Sequence, residues 1–496
     1  MGKAKRIKRE VSWKWIYFAS FFALVLVLKQ TLDWGTSGDD SYYFYKAGFR
    51  TWSDILGHLF FPPEAKVFIF GEDRPLQYFI FKSLWALDVG VTGYRAYSWV
   101  VNWLACLAFS WGIISVFRLV YPIASTAIWF AATLMWWCPP VVMSTSGNLI
   151  DVVMLGLVGA HFGLLLADPK TLPKAIRRAT IRLGLSIFSA FLGCQAFESA
   201  WIVLVWGSGF LLLHFLTKGT LKKNLRRALL SAAIVAFHIL VFRSLNPADA
   251  NRQEVARTYD LSSFLRMGKF YGMIAFNAVA EPMWSSLGFH PTAVGIDALS
   301  HPYAFLLTFS ALILLFVIRK PSTGKEDKRA SRFSWLVLLG GVGAVIPYLI
   351  ISNRQMLYYS NGLLAFVTLF VAIRAYLFRP GPGKTLPWRF FGLDPVLLAY
   401  FLGTAIAGAH VITGWNYMHF YAGQYNGNGT RNLYDRVMAL PGASECSGTN
   451  PCCLQMLPKT DWGFDESIPN WYLGLPKHPP FISPGMPCSK TLSIQQ

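Results

Sequence analysis

The stretch Leu149-Ile150-Asp151-Val152-Val153-Met154-Leu155-Gly156-Leu157-Val158-Gly159-Ala160-His161-Phe162-Gly163-Leu164-Leu165-Leu166 is apolar throughout apart from one acid near its start and one histidine. It approaches the roughly 20 apolar residues needed to cross about 30 Å of hydrocarbon. Lys170, Lys174, Arg177, Arg178 and Arg182 follow at once, and a second apolar run, Ile181–Ala196, follows them. An apolar run leading into a short basic loop is the pattern of a helix leaving a bilayer on its cytoplasmic side. Further apolar runs lie at Trp15–Leu28, Tyr94–Val116, Ile123–Cys138, Trp201–Leu216, Leu229–Phe242, Ala304–Ile318, Trp335–Ile351, Leu363–Phe378 and Val396–Ile412. The sequence therefore predicts an all-α polytopic membrane protein of about eleven transmembrane helices. Leu76–Ala86 is apolar but interrupted by Lys82, and reads as an interfacial or re-entrant helix.

Composition agrees. Of 496 residues 54% are hydrophobic and only 14% charged, against about 25% charged in a soluble domain. The net charge of +20 raises the possibility of nucleic acid as a partner. Its placement points to membrane orientation instead. With the N-terminus inside, the inner loops hold more than half of the 45 Lys and Arg residues. Of the 25 acids, only Glu10, Asp168, Glu326, Asp327 and Asp394 fall on that side. The expected organisation is a cytoplasmic basic tail (1–14), a transmembrane domain (15–415) and an external C-terminal segment (416–496). External loops run over about 33–93 and 246–302. The first span reads as a retained signal anchor, since Lys29-Gln30-Thr31 follows it without a small-residue cleavage pattern. A bacterial inner membrane with a periplasmic C-terminus is the expected location, with the endoplasmic reticulum membrane as the alternative.

The C-terminal segment is rich in Pro, Gly, Asn and Trp, and reads as small and irregular. It holds Cys446, Cys452, Cys453 and Cys488. In an oxidising compartment four cysteines favour two disulfides, of unassigned pairing, over a zinc site.

The residues most able to carry chemistry lie outside. Gly38-Asp39-Asp40-Ser41-Tyr42-Tyr43-Phe44-Tyr45 sets two acids beside the bilayer. Asp40 or Asp39 can act as general base on an acceptor hydroxyl, or cap a helix over Ser41–Trp52. Glu72-Asp73-Arg74-Pro75-Leu76 ends the same loop. Pro75 suits a first helical turn, and Glu72 and Asp73 suit its positive end. Arg74 is shaped to hold a phosphate or carboxylate. Arg354, with Tyr358 and Tyr359, forms a third external group able to grip a phosphate or simply anchor the interface. Arg266 and Lys269 share one helix face and read as a stripe at lipid headgroups. Asn148, Asp151, Gln195 and Glu198 stand at outer helix ends, where a cavity in the bundle would open. His161, His214 and His238 read as isolated histidines of the bundle or the interface. Paired acids can also hold Mg2+ or Mn2+, although no complete metal-ligand set is visible.

The acidic pair after the first span, followed by Arg74-Pro75-Leu76, Trp85-Ala86-Leu87, Tyr94-Arg95 and Asn102-Trp103-Leu104, resembles the GT-C superfamily of integral membrane glycosyltransferases. Within it the similarity is to the protein O-mannosyltransferase-like branches, and it covers about Trp34–Leu119. The chain has no tetratricopeptide array and no His beside Asn102, so branch and acceptor stay open. The resemblance implies a GT-C-like fold and a polyprenyl-phosphate sugar donor. It implies transfer with inversion to an acceptor glycan, lipid or protein on the non-cytoplasmic face. Asp40 and Asp39 would then be catalytic, with Arg74, Asp73, Glu72, Arg354, Tyr358 and Tyr359 binding substrate. The competing readings are a transporter or flippase of a lipid-linked envelope precursor, and a non-catalytic partner keeping the same fold.

Overall fold

The computed structural model describes residues 38–62, 67–68, 74–117, 119, 149–169, 172–218, 222–244, 261–272, 325–351, 362–363, 365–367, 370, 427–457, 480–482 and 487–495. Most of these are helical. Helices α1 (Gly38–Phe49), α2 (Trp52–Phe60) and α3 (Pro75–Ala86) precede α4 (Val91–Phe117). Then come α5 (Leu149–Leu166), α6 (Ala179–Ala196), α7 (Ser199–Lys218), α8 (Lys222–Phe242) and α9 (Lys325–Ile351). Among the described residues, three stretches are long and apolar enough to cross a membrane: Val91–Ile113, Ala179–Ala196 and Leu225–Phe242. Ile150–Leu166, Ser199–Leu212 and Ser331–Ile346 are apolar but shorter. These six coincide with six expected spans. The expected spans Trp15–Leu28, Ile123–Cys138, Ala304–Ile318, Val396–Ile412 and most of Leu363–Phe378 lie outside the described residues.

Helices α4 and α5 pack through small residues. A Cβ at Gly112 would run into the Gly159 carbonyl, and one at Gly159 would run into the backbone of Phe109. Such close backbone approach is how helices associate where lipid removes the hydrophobic incentive. His161 of α5 adds a polar tie. Its Nδ1 lies 3.0 Å from the Ser186 carbonyl on α6, and its Nε2 lies 2.8 Å from Ser231 Oγ on α8. On the far side, Trp206 of α7 donates to the Leu336 carbonyl of α9 at 2.7 Å, and Phe210 packs edge-on against Phe333. Successive helices α5 to α8 alternate in direction, so one end of the bundle collects the start of α5, the end of α6, the start of α7 and the end of α8.

The segment expected to form the first external loop packs as short helices. The expected helix over Ser41–Trp52 proves to be two. Asp39 and Asp40 stand inside the first turn of α1 and do not precede it, and α1 ends at Phe49. Thr51 then starts α2 with a reciprocal capping box. Its Oγ1 accepts from the Asp54 amide at 3.1 Å, and the Asp54 carboxylate accepts from the Thr51 amide and hydroxyl. The Thr51 hydroxyl, and then its amide, hold the Asp54 carboxyl below the usual range. Helix α3 begins with Pro75 as expected. Phe44 and Ala47 of α1 bury against Tyr78, Phe81 and Trp85 of α3 and Tyr94 of α4. Lys82, the residue that interrupts the apolar run, donates to the Gly48 carbonyl at 2.7 Å.

The all-α expectation needs correction at two places. Strand β1 (Val67–Phe68) pairs in parallel with β2 (Arg243–Ser244), fastening the first loop to the end of α8. The C-terminal segment is not irregular throughout. Helix α10 (Gly427–Met438) covers a parallel sheet of order β4 (Phe481–Ile482), β3 (Cys452–Leu457), β5 (Thr491–Gln495). Leu492 and Ile494 alternate into a core with Val437, Leu454 and Phe481. The four cysteines form two disulfides, Cys446–Cys452 and Cys453–Cys488. Gly442, at φ +81°, makes the left-handed turn before Glu445, whose carboxylate accepts from Lys490.

Candidate functional site

Polar side chains converge where the start of α5, the end of α6, the start of α7 and the end of α8 meet. This is the end that the charge distribution predicts to face outward. Asp151, in the first turn of α5, is 3% exposed; Glu198, between α6 and α7, and Arg243, just past α8, are each 5% exposed. Arg243 Nη2 lies 3.8 Å from Glu198 Oε1, within ion-pair range but too long for a hydrogen bond. Arg74 precedes α3 without capping it, and its guanidinium lies 4.3 Å from the ring centre of Phe197. Arg74 and Glu198 are the charges that act on the Asp151 carboxylate. Two guanidinium groups and two carboxylates are thus held together under little solvent.

Hydrogen bonding within this cluster is incomplete. Neither oxygen of Asp151 has a hydrogen-bond partner among the described residues, and the same holds for Glu198 Oε1 and Arg243 Nε. Buried polar atoms normally find partners, and each exception calls for an explanation. The guanidinium groups are suited to bind an oxyanion. The same donor set suits a divalent cation poorly, because Arg74 and Arg243 already supply the positive charge. Among the described residues no group of three or more His, Cys, Asp or Glu side chains could share a metal ion.

A directional hydrogen-bond chain supports the cluster. Trp201 Nε1 of α7 donates to His238 Nδ1 of α8 at 3.2 Å. The His238 proton is therefore on Nε2, which lies 3.3 Å from Gln195 Oε1 of α6. Gln195 Nε2 in turn donates to the Leu59 carbonyl of α2 at 2.7 Å. Phe60 stacks over Phe188 and Phe191 beside this bond. The chain seats α2 on the bundle. His161 and His238, expected to be isolated, are instead central to two polar networks.

Of the predicted site residues, Arg74, Asp151 and Glu198 are in the cluster, and Gln195 stands in the hydrogen-bond chain. Asp39 and Asp40 are placed through their backbone. Contacts between α1 and α3 run in parallel from Tyr43–Tyr78, through Phe44–Phe81, to Phe49–Trp85. The first turn of α1 therefore lies toward the end of the pair where Arg74 begins α3. Glu72, Asp73, Arg354, Tyr358, Tyr359, Asn148 and His214 lie outside the described residues or their described side chains. Arg266 and Lys269 are both exposed on the helix over 261–272, as expected of a surface stripe. Sequence reasoning missed Arg243 and Phe197. Arg243 carried a signal, being a basic residue directly after a span on the side where such residues are scarce. No protein-family model matches this sequence, and no curated protein matches it.

Proposed function

We propose that the chain is a polytopic membrane glycosyltransferase of the GT-C type, with about eleven spans, working on its non-cytoplasmic face. The donor is a sugar on a polyprenyl phosphate or diphosphate, and the acceptor is a hydroxyl-bearing glycan, lipid or protein. The acceptor oxygen attacks the anomeric carbon, and the bond to the phosphate oxygen breaks with its electrons passing to the phosphate. The acceptor proton goes to a carboxylate of the external segment, Asp40 or Asp39, giving inversion. The leaving phosphate needs cationic stabilisation more than an acid. The observation that carries this reading is Arg74, held over Phe197 and acting on buried Asp151, with Arg243 beside Glu198. The donor tail dissolves in the bilayer, which brings its phosphate to the depth of such a cluster. Glu72, Asp73, Arg354, Tyr358 and Tyr359 complete the proposed binding set, with Mg2+ or Mn2+ as a further candidate at the Asp pair.

The test is sugar transfer in membranes carrying Asp40→Asn, Asp39→Asn or both, with insertion verified by protease protection. Loss of transfer with normal insertion supports the enzyme. Unchanged transfer in the double variant removes the proposed base. Translocation of intact donor without transfer would instead favour the flippase.

A further inference from the structure

Helix register brings the two carboxylates of the buried cluster to one level. His161 of α5 sits against Ser186 of α6, its Nδ1 3.0 Å from the carbonyl. Further along, a Cβ at Gly193 of α6 would lie 3.2 Å from Val158 Cγ2 and 3.7 Å from the Met154 carbonyl. The two helices therefore run antiparallel. Asp151 precedes Val158 by two turns on the same face of α5. Glu198 follows Gly193 by three helical residues and two extended ones, past the end of α6 at Ala196. Each carboxylate thus stands roughly 10 Å beyond the contact of Val158 with Gly193. Arg243 reaches Glu198 at 3.8 Å, and none of the three residues is more than 5% exposed.

The atoms left without a hydrogen-bond partner there are Asp151 Oδ1 and Oδ2, Glu198 Oε1 and Arg243 Nε. Three accept and one donates. A phosphate only accepts. It would satisfy Arg243 Nε and be repelled by both carboxylates. An ammonium only donates, so it would leave Arg243 Nε unmet and set its charge against the guanidinium. A hydroxyl does both. Two neighbouring hydroxyls can donate to the carboxylates while one of their oxygens accepts from Arg243 Nε.

We propose that Asp151, Glu198 and Arg243 form a subsite for neighbouring hydroxyls of a sugar ring. Phe197 joins this subsite to the phosphate side, since its ring lies 4.3 Å from the Arg74 guanidinium and Glu198 is the next residue. The phosphate falls to Arg74 and the ring turns into the buried cluster, which makes the ring the donor's. This subsite rests on the transferase reading and adds to it the side chains that recognise the sugar.

The test is equilibrium binding to the full chain in nanodiscs, read by displacement of a fluorescent polyprenyl phosphate. The competitors are bare polyprenyl phosphate and the same lipid carrying mannose, galactose, glucose or arabinose. At least one sugar should improve wild-type affinity about tenfold or more over the bare lipid, the gain of a hydrogen bond to a charged group. Asp151→Asn should bring that sugar lipid to within about threefold of the bare lipid and leave the bare lipid unchanged, because a neutral acceptor replaces a charged one. Arg74→Gln should weaken all five lipids alike. Of the deoxy forms of the preferred sugar, at least one should bind the wild type about tenfold more weakly. That series needs no variant, and no loss with any deoxy form would overturn the subsite. Equal loss of the bare lipid and the sugar lipid in Asp151→Asn would also overturn it. A rise in acceptor KM with unchanged donor affinity would overturn the assignment to the donor's ring. Wild-type binding of the bare lipid with no gain from any sugar would leave ordered water as the partner of these atoms and the transferase reading intact. Binding of none of the five lipids would remove both.

Discussion

Replacing Arg243 by Met should destabilise the bundle severely, and replacing Glu198 by Gln in the same chain should recover most of the loss. The two charged groups are 3.8 Å apart. At an effective dielectric of about 20, that separation corresponds to an attraction of about 4 kcal/mol. Both residues are only 5% exposed, so water cannot replace the missing partner. Without Arg243, Glu198 is left within reach of Asp151, a like charge when ionised. Breaking a buried pair in this way costs about 3–5 kcal/mol, whereas removing both charges is often close to neutral. The assay is reversible unfolding in mixed micelles for the wild type, both single variants and the double variant. A coupling energy of about 2 kcal/mol or more is expected. A single-variant loss below about 1 kcal/mol, the value of an exposed pair, or additive losses in the double variant, would refute the reasoning.

At the contact between α4 and α5, Gly159→Leu should cost about 1–3 kcal/mol or more, because the obstacle is the Phe109 backbone rather than a movable side chain; Gly184→Leu, with open space around it, is the control in the same unfolding assay. Opening Cys453–Cys488 by paired Ala substitution should cost the C-terminal unit about 4 kcal/mol, against about 2 kcal/mol for Cys446–Cys452, since the first closes a separation of 35 residues and the second only 6; thermal melts of the two variants check the order. The Lys490 ammonium holds the Glu445 carboxyl below its usual range. Its contribution is present above the ordinary glutamate pKa and is lost as pH falls through the lowered folded value. Acid titration of the C-terminal unit should therefore show a small destabilising step that Lys490→Met removes, and an unchanged titration would dismiss it.

The helices of the bundle were legible because hydrocarbon thickness imposes length and low charge on every span. Leu149–Leu166 and the ends of Ile181–Ala196 and Leu229–Phe242 could be read almost residue by residue. Asp151, Gln195 and Glu198 stood out singly as polar groups at helix ends. Their assembly did not, because it joins Leu59 to Gln195 and Trp201 to His238 across different helices. The same holds for Arg74, whose neighbours Phe197 and Asp151 lie far along the chain. Two local signals are legible in the sequence itself. Thr51-Trp52-Ser53-Asp54 is a capping box, and it breaks the helix expected to run through Trp52. Thr491-Leu492-Ser493-Ile494-Gln495 alternates as a strand does, within a segment whose Pro and Gly content suggested irregular chain. The partner strand was harder to read, because Cys452 and Cys453 serve as core residues and as disulfide anchors together.

The most direct test of an outward-facing transferase is release of polyprenyl phosphate from a polyprenyl-phosphate sugar by purified protein in proteoliposomes, followed by phosphorus NMR with and without membrane-extract acceptors. Release that depends on acceptor in the wild type, and that falls at least a hundredfold, about 2.7 kcal/mol of lost stabilisation, in a folded Arg74→Gln variant, is the expected result. Equal release by the wild type and Arg74→Gln, or none by the wild type with donor and acceptors present, would contradict it.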